Sequence, residues 1–301
     1  MSYLFAHFTG EQLDGEQIYF SVSRNGLFWT DLNDGKPALR SCIGTKGVRD
    51  PFLVRHPDTG RCYLIATDLR IASGVTWQQA KAEASRNIII WESDDLLHWD
   101  GPRTCTVGAE GTGCVWAPEA IFDREKQQFF VFFSSYVHKL DKLRIYGTWT
   151  KDFHTFSLPF IYFEKAESVI DTTLIEAKGK FYRISKSDTY KRLELEESDS
   201  LYHSFRPVFS QALADLSGVE GPEIYPLPNG SYCLIADQYA SQKGYLPLIT
   251  DDLSTGNFCI PPISQYHFGI TRKRHGGIME ISAQEYQSLI QFYQQAQEKR
   301  S

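Results

Sequence analysis

Apolar residues along this chain fall in short runs, each closed by a polar turn. Cys62-Tyr63-Leu64-Ile65-Ala66-Thr67 and Phe129-Phe130-Val131-Phe132-Phe133 are typical. Runs of this length, rich in aromatic and β-branched residues and bounded by Gly, Pro, Asn or Asp, read as strands. Five other runs open alike. Arg49-Asp50-Pro51-Phe52-Leu53-Val54 is the first, and Trp116-Ala117-Pro118-Glu119-Ala120-Ile121 is the second. Ile170-Asp171-Thr172-Thr173-Leu174-Ile175, Glu220-Gly221-Pro222-Glu223-Ile224-Tyr225 and Arg274-His275-Gly276-Gly277-Ile278-Met279 follow. The openings recur at roughly 50 to 70 residues, the spacing of a repeat architecture.

Each opening starts the same programme. A first strand reaches a turn, such as His56-Pro57-Asp58-Thr59-Gly60 or Pro228-Asn229-Gly230, and a second strand returns. A third strand follows: Ile88-Ile89-Ile90-Trp91, Arg144-Ile145-Tyr146, Leu193-Glu194-Leu195 and Leu246-Pro247-Leu248. It ends in Ser, Thr or Asp residues whose side chains can close a turn on their own backbone. Four units are complete. The fifth opens at Arg274 but runs out of strand after Ile281, and its missing strands are Tyr3–Phe8 and Gln17–Val22 at the other end of the chain. Joining them closes a ring and protects the sheet edges. The expected fold is all-β, a five-bladed β-propeller formed as a single domain over residues 1–301.

Two segments leave the repeat. Residues 69–87 form a long insert, helix-like from Gln78 to Ser85, expected to wall the pocket or make a subunit contact. After Ser282 a helix is expected. Ser282 and Glu285 fit a capping box, and Tyr286, Leu289, Ile290 and Tyr293 make one apolar face for packing on the propeller rim.

Composition narrows the function. The net charge of −6 argues against a partner bound through nucleic-acid phosphates. No run approaches the ~18 apolar residues of a membrane span. Met1-Ser2-Tyr3-Leu4-Phe5-Ala6-His7 lacks the basic region and apolar core of a secretory signal. Cys42, Cys62, Cys105, Cys114, Cys233 and Cys259 form no C-x-x-C pair and read as reduced thiols. A cytoplasmic location is expected.

First strands of propeller blades line the central axis, so residues at their heads face one another across a funnel. Asp50, Asp171 and Glu220, read as sharing one phase of the repeat, would meet there. Glycoside hydrolysis uses two carboxyl groups, one to protonate the leaving oxygen and one to activate water or attack the sugar. A third carboxylate beside them is expected to raise the pKa of the acid, since crowded like charges disfavour ionisation.

On these residues the chain resembles glycoside hydrolase family 43, over essentially its whole length. The resemblance implies Asp50 as general base, Asp171 as the group that modulates pKa and orients the acid, and Glu220 as general acid. It implies inversion at the anomeric carbon, with Asp50 and Glu220 roughly 6.5–9.5 Å apart. Arg274-His275-Gly276 resembles the fifth-blade motif, which implies Arg274 near substrate and His275 facing the channel beside a metal ion or water cluster. No cofactor is expected to be required, with Ca2+ held mainly by water as the channel ion. Trp116, Glu119 and Phe52 are expected near the substrate, although Glu119 stands where Asp is common. The implied activity is exo-acting release of a pentose, α-L-arabinofuranose or β-D-xylose, from small oligosaccharides. A β-D-galactofuranosidase is a close variant, and a non-catalytic sugar-binding propeller is the alternative. Invertase-like enzymes need an Asn-Asp-Pro motif near the start and a Glu-Cys motif, and neither occurs here. Ser23-Arg24-Asn25-Gly26-Leu27-Phe28-Trp29 resembles a sialidase Asp-box, but sialidases need an arginine cluster where these strand heads are mostly acidic.

Overall fold

The computed structural model describes residues 1–298. β1 (Ser2–Phe8), β2 (Tyr19–Ser23) and β3 (Trp29–Asp31) start the chain. The first full blade is β4 (Val48–Arg55), β5 (Cys62–Asp68), β6 (Asn87–Ser93) and β7 (Asp100–Thr106). The second is β8 (Trp116–Asp123), β9 (Gln128–Val137), β10 (Lys142–Thr150) and β11 (Phe160–Phe163). The third is β12 (Val169–Ala177), β13 (Lys180–Ser187), β14 (Arg192–Ser198) and β15 (Arg206–Val208). The fourth is β16 (Glu220–Pro226), β17 (Tyr232–Asp237) and β18 (Tyr245–Thr250), extended by Cys259 bridging to Ile249. β19 (Arg274–Ile281) pairs antiparallel with β1, Ser2 opposite Ile281 and His7 opposite Gly276. The last strand is therefore the inner strand of the blade that the first strands began. β4, β8, β12, β16 and β19 contact one another in turn around the axis. This is the expected five-bladed propeller with the expected closure.

The outer strands β3, β7, β11 and β15 were not among the expected strands. β3, β11 and β15 are short, and β7, β11 and β15 bury no residue fully, so their sequences show no apolar alternation. The turns after the third strands are the expected kind. Ser93 Oγ accepts the Leu96 N–H at 2.8 Å, and Thr150 Oγ1 accepts the Phe153 N–H at 2.8 Å. Both donating residues, Leu96 and Phe153, have positive φ, and their side chains are buried. One turn thus ends a strand and anchors the interface between blades. Tyr63, Phe129 and Phe153 pack together there with tilted and edge-on rings, the Tyr63 and Phe153 ring centroids 4.4 Å apart. Burying each ring contributes about 1.5–3 kcal/mol.

Among the described residues there are three α-helices: α1 (Trp77–Ala82), α2 (Gln211–Ala214) and α3 (Ala283–Glu298). α1 is shorter than the Gln78–Ser85 segment expected from sequence. α3 has the expected capping box, Glu285 Oε2 accepting the Ser282 N–H and Ser282 Oγ the Glu285 N–H. Leu289 and Tyr293 are buried against the closing blade, in one cluster with Leu4 and Ile18.

Candidate active site

Every inner strand carries a bulge at its head. Arg49 pairs with Thr67 and Phe52 with Ile65, so β4 holds one residue more than β5 over this stretch. The same extra residue occurs between Trp116 and Glu119, Ile170 and Thr172, Glu220 and Glu223, and Arg274 and Gly276. Such bulges re-aim side chains. The bulged positions are Asp50, Ala117, Asp171, Gly221 and His275. The first four have φ near +50°, between 47° and 53°. Asp50 and Asp171 are therefore equivalent, as expected. Glu220 is not in their phase. It precedes its bulge, in the place held elsewhere by Arg49, Trp116, Ile170 and Arg274. Gly221 takes the bulge itself because a Cβ there would lie 2.6 Å from His275 Cγ.

The three carboxylates line one cavity of about 890 Å³. Asp50 accepts from Thr67 Oγ1 at 2.8 Å, and Thr67 in turn accepts the Ala117 N–H. Asp171 Oδ2 accepts the Gly221 N–H at 3.2 Å, and the Asp171 N–H donates to Ser134. Glu220 accepts from Lys186 Nζ at 2.9 Å and from Arg274 Nη2 at 2.8 Å. Arg274 Nε also donates to Asp237 at 2.6 Å.

These partners set the charges. Burial pushes Asp171 up, against the opposing pull of His275 and Lys186. Burial pushes Glu220 the same way, but the Lys186 and Arg274 charges outweigh it and hold this carboxyl below its ordinary range. The expectation that crowding raises the Glu220 pKa is therefore not met. Burial lifts Asp237 to about 6.

One layer deeper, two residues past the bulge, lie Phe52, Glu119, Thr173 and Glu223. Glu119 and Glu223 are almost fully buried, and neither they nor Phe52 line the cavity. The substrate contacts expected of Phe52 and Glu119 are thus corrected. The residues after the bulge continue down the axis, and Phe52 packs on Gly277. Glu223 accepts the Ile278 N–H at 2.8 Å and the Thr173 hydroxyl at 3.3 Å. Burial and the Glu223 charge hold Glu119 well above the usual carboxylate range. Trp116, Arg274 and His275 do line the cavity. His275 Nδ1 lies 3.5 Å from Asp50 Oδ1. Among the described residues no group of three or more His, Cys, Asp or Glu is placed to hold a metal. One carboxylate beside an imidazole falls short of the oxygen set calcium takes from a protein.

This ring of acidic heads has counterparts. A model of probable glycosyl hydrolase domains, related to glycoside hydrolase family 43, matches residues 1–287. The chain belongs to this family. An α-L-arabinofuranosidase of Bifidobacterium longum subsp. longum is 30% identical over 203 residues, which is 60% of this chain and 19% of that protein. The hydrolase domain thus spans less than a fifth of that relative. Among solved structures, an endo-1,4-β-xylanase from Bacteroides thetaiotaomicron superposes with a TM-score of 0.57 at 16% identity, covering 83% of this chain and 86% of the other. An exo-β-1,3-galactanase from Phanerochaete chrysosporium gives 0.51 at 15% identity, covering 68% and 47%. At such identities the likeness is one of fold.

The hydrolase domain also recruits residues that sequence reading missed. Thr67, Ser134, Lys186 and Asp237 sit on the second strands, directly opposite Arg49, Trp116, Ile170 and Glu220. A polar residue ending each second-strand run was the available signal. Glu11 reaches the cavity from the β1–β2 loop and accepts from Arg49 at 2.8 Å. Trp77 reaches it from the β5–β6 insert, which walls the pocket as expected.

Proposed function

We propose that this domain is an exo-acting, inverting glycoside hydrolase that releases a pentose, such as α-L-arabinofuranose or β-D-xylose, from small oligosaccharides. The observation that carries the reading is the meeting of Asp50, Asp171 and Glu220 in one cavity above a buried axial layer. Asp50, fixed by Thr67, takes the proton of a water attacking the anomeric carbon. Glu220 gives a proton to the departing oxygen. Asp171 fixes the Gly221 backbone beside Glu220 and so aims the acid. Glu220 has both oxygens occupied by cations, so an entering glycosidic oxygen displaces Lys186 or Arg274. Losing one cation raises the Glu220 pKa and lets it carry the proton at that moment. The arabinofuranosidase relative favours α-L-arabinofuranose as the sugar. A β-D-galactofuranoside is the variant to test beside it. Six free thiols fit a reducing compartment, and the reading places the enzyme in the cytoplasm.

A second reading makes Asp171 the acid. It is favoured by the raised pKa of Asp171 and its equivalence to Asp50.

The test is hydrolysis of aryl α-L-arabinofuranoside, β-D-xyloside and β-D-galactofuranoside by wild type, Glu220→Gln and Asp50→Asn. Turnover of one glycoside by wild type, lost in Asp50→Asn for every leaving group and in Glu220→Gln for poor leaving groups, supports the reading and names the sugar. Asp50→Asn as active as wild type, or Glu220→Gln as active as wild type on a poor leaving group, would remove the assigned roles.

A further inference from the structure

We propose that Trp77 is the stacking platform for the sugar on the leaving-group side of the cleaved bond. The proposal rests on the hydrolase reading and names what lies beyond the sugar being released.

The cavity rim is built from loops that join second strands to third strands. In the second and third blades these loops are brief, residues 138–141 and 188–191. In the first blade the loop covers residues 69–86 and carries α1. This insert is fixed in place. Thr76 and Gln79 cap α1 reciprocally, and Ala80 is fully buried. The Ala84 N–H donates to Gly113 at 2.8 Å, and Arg86 donates to the Ala109 carbonyl at 3.1 Å.

Trp77 opens α1 and lines the cavity, yet 53% of its surface faces solvent. Its ring is held edge to face against Trp116, centroids 6.3 Å apart at 89°, and the Arg49 guanidinium lies 5.1 Å from its centroid. The indole is therefore oriented while much of it stays uncovered. Pyranose and furanose rings offer a C–H face that such a surface can bury.

Depth sets which sugar it meets. The Asp50 and Glu220 side chains are 14% and 19% exposed, and the layer beneath them is buried. The released sugar fills the bottom, so the remainder of the chain leads outward past Trp77. Lys81 lines the cavity one helical turn on, on the same face. Its ammonium stands 4.5 Å from the Tyr136 ring centroid. It is placed to donate to hydroxyls of a sugar lying on Trp77.

The test compares wild type, Trp77→Ala and Trp77→Phe on two substrates with the same released sugar. One is a glycosyl fluoride, whose leaving group has no ring, and the other is an oligosaccharide. Trp77→Ala is expected to lose about ten-fold or more in kcat/KM on the oligosaccharide, to lose several-fold less on the fluoride, and to be rescued in part on the oligosaccharide by Trp77→Phe. Equal losses on both substrates, or no loss on either, would overturn the proposal. If wild type turns over neither substrate, the hydrolase reading fails on its own. Quenching of tryptophan fluorescence by the oligosaccharide in wild type but not in Trp77→Phe would then keep the sugar site, and its absence would end it.

Discussion

The Lys186 ammonium lies 2.9 Å from Oε2 of Glu220. Lys186 is 3% exposed, and its other close carboxylate is Asp188 at 3.7 Å. A buried cation at this distance favours the ionised form of Glu220, and Arg274 does the same from the other oxygen. A general acid must carry its proton when the glycosidic bond breaks. Lys186→Met removes one of the two opposing charges, so the Glu220 pKa rises. Activity that needs protonated Glu220 falls as pH climbs through that pKa, so the alkaline limb of kcat/KM moves to higher pH, by on the order of one unit. A limb that stays put or moves down would separate Lys186 from the acid.

The axial layer makes a prediction about stability. Burial lifts Glu223 to about 8 from 4.5. Between those values the folded protein keeps a proton that the unfolded chain has released. Stability is full below about pH 4.5 and falls as pH rises towards 8, by about 1.4 kcal/mol per unit for this one proton. Glu223→Gln keeps an acceptor for the Ile278 N–H and does not titrate. Urea unfolding of the variant between pH 5 and 8 should show a slope shallower by one proton. Equal slopes would mean that Glu223 is ionised in the folded state.

Gly221 joins Asp171 to Glu220 through its backbone. Its φ is +53°, and an added Cβ would lie 2.6 Å from His275 Cγ. Gly221→Ala should cost on the order of 1–3 kcal/mol in stability and move the N–H that holds Asp171. Activity should fall more than thermal stability suggests, read as kcat at a temperature where the variant is folded. A variant with wild-type kcat would show that the bulge does not position the carboxylates.

The fold was legible because the repeat repeats. Asp50, Ala117, Asp171, Gly221 and His275 sit at matching points, and the orphan β19 had a partner waiting in β1. The outer strands were illegible for the opposite reason, since edge strands such as Arg206–Val208 bury little on either face. Asp50, Asp171 and Glu220 were legible as residues, but the phase of Glu220 was not. A bulge adds one residue without marking the sequence, so Glu220 and Asp171 looked equivalent. Phe52 and Glu119 were misplaced for the same reason. Lys186 and Asp237 act from neighbouring strands, and pairing across strands is invisible until register is known.

The most direct measurement is the dependence of kcat/KM on leaving-group pKa for aryl glycosides of the accepted sugar, in wild type, Glu220→Gln and Asp171→Asn. With Glu220 as the acid, Glu220→Gln should be nearly as fast as wild type for good leaving groups and slower by about 100-fold or more for poor ones. Asp171→Asn should be slowed alike for all of them. Steepening confined to Asp171→Asn would contradict the assignment and make Asp171 the acid.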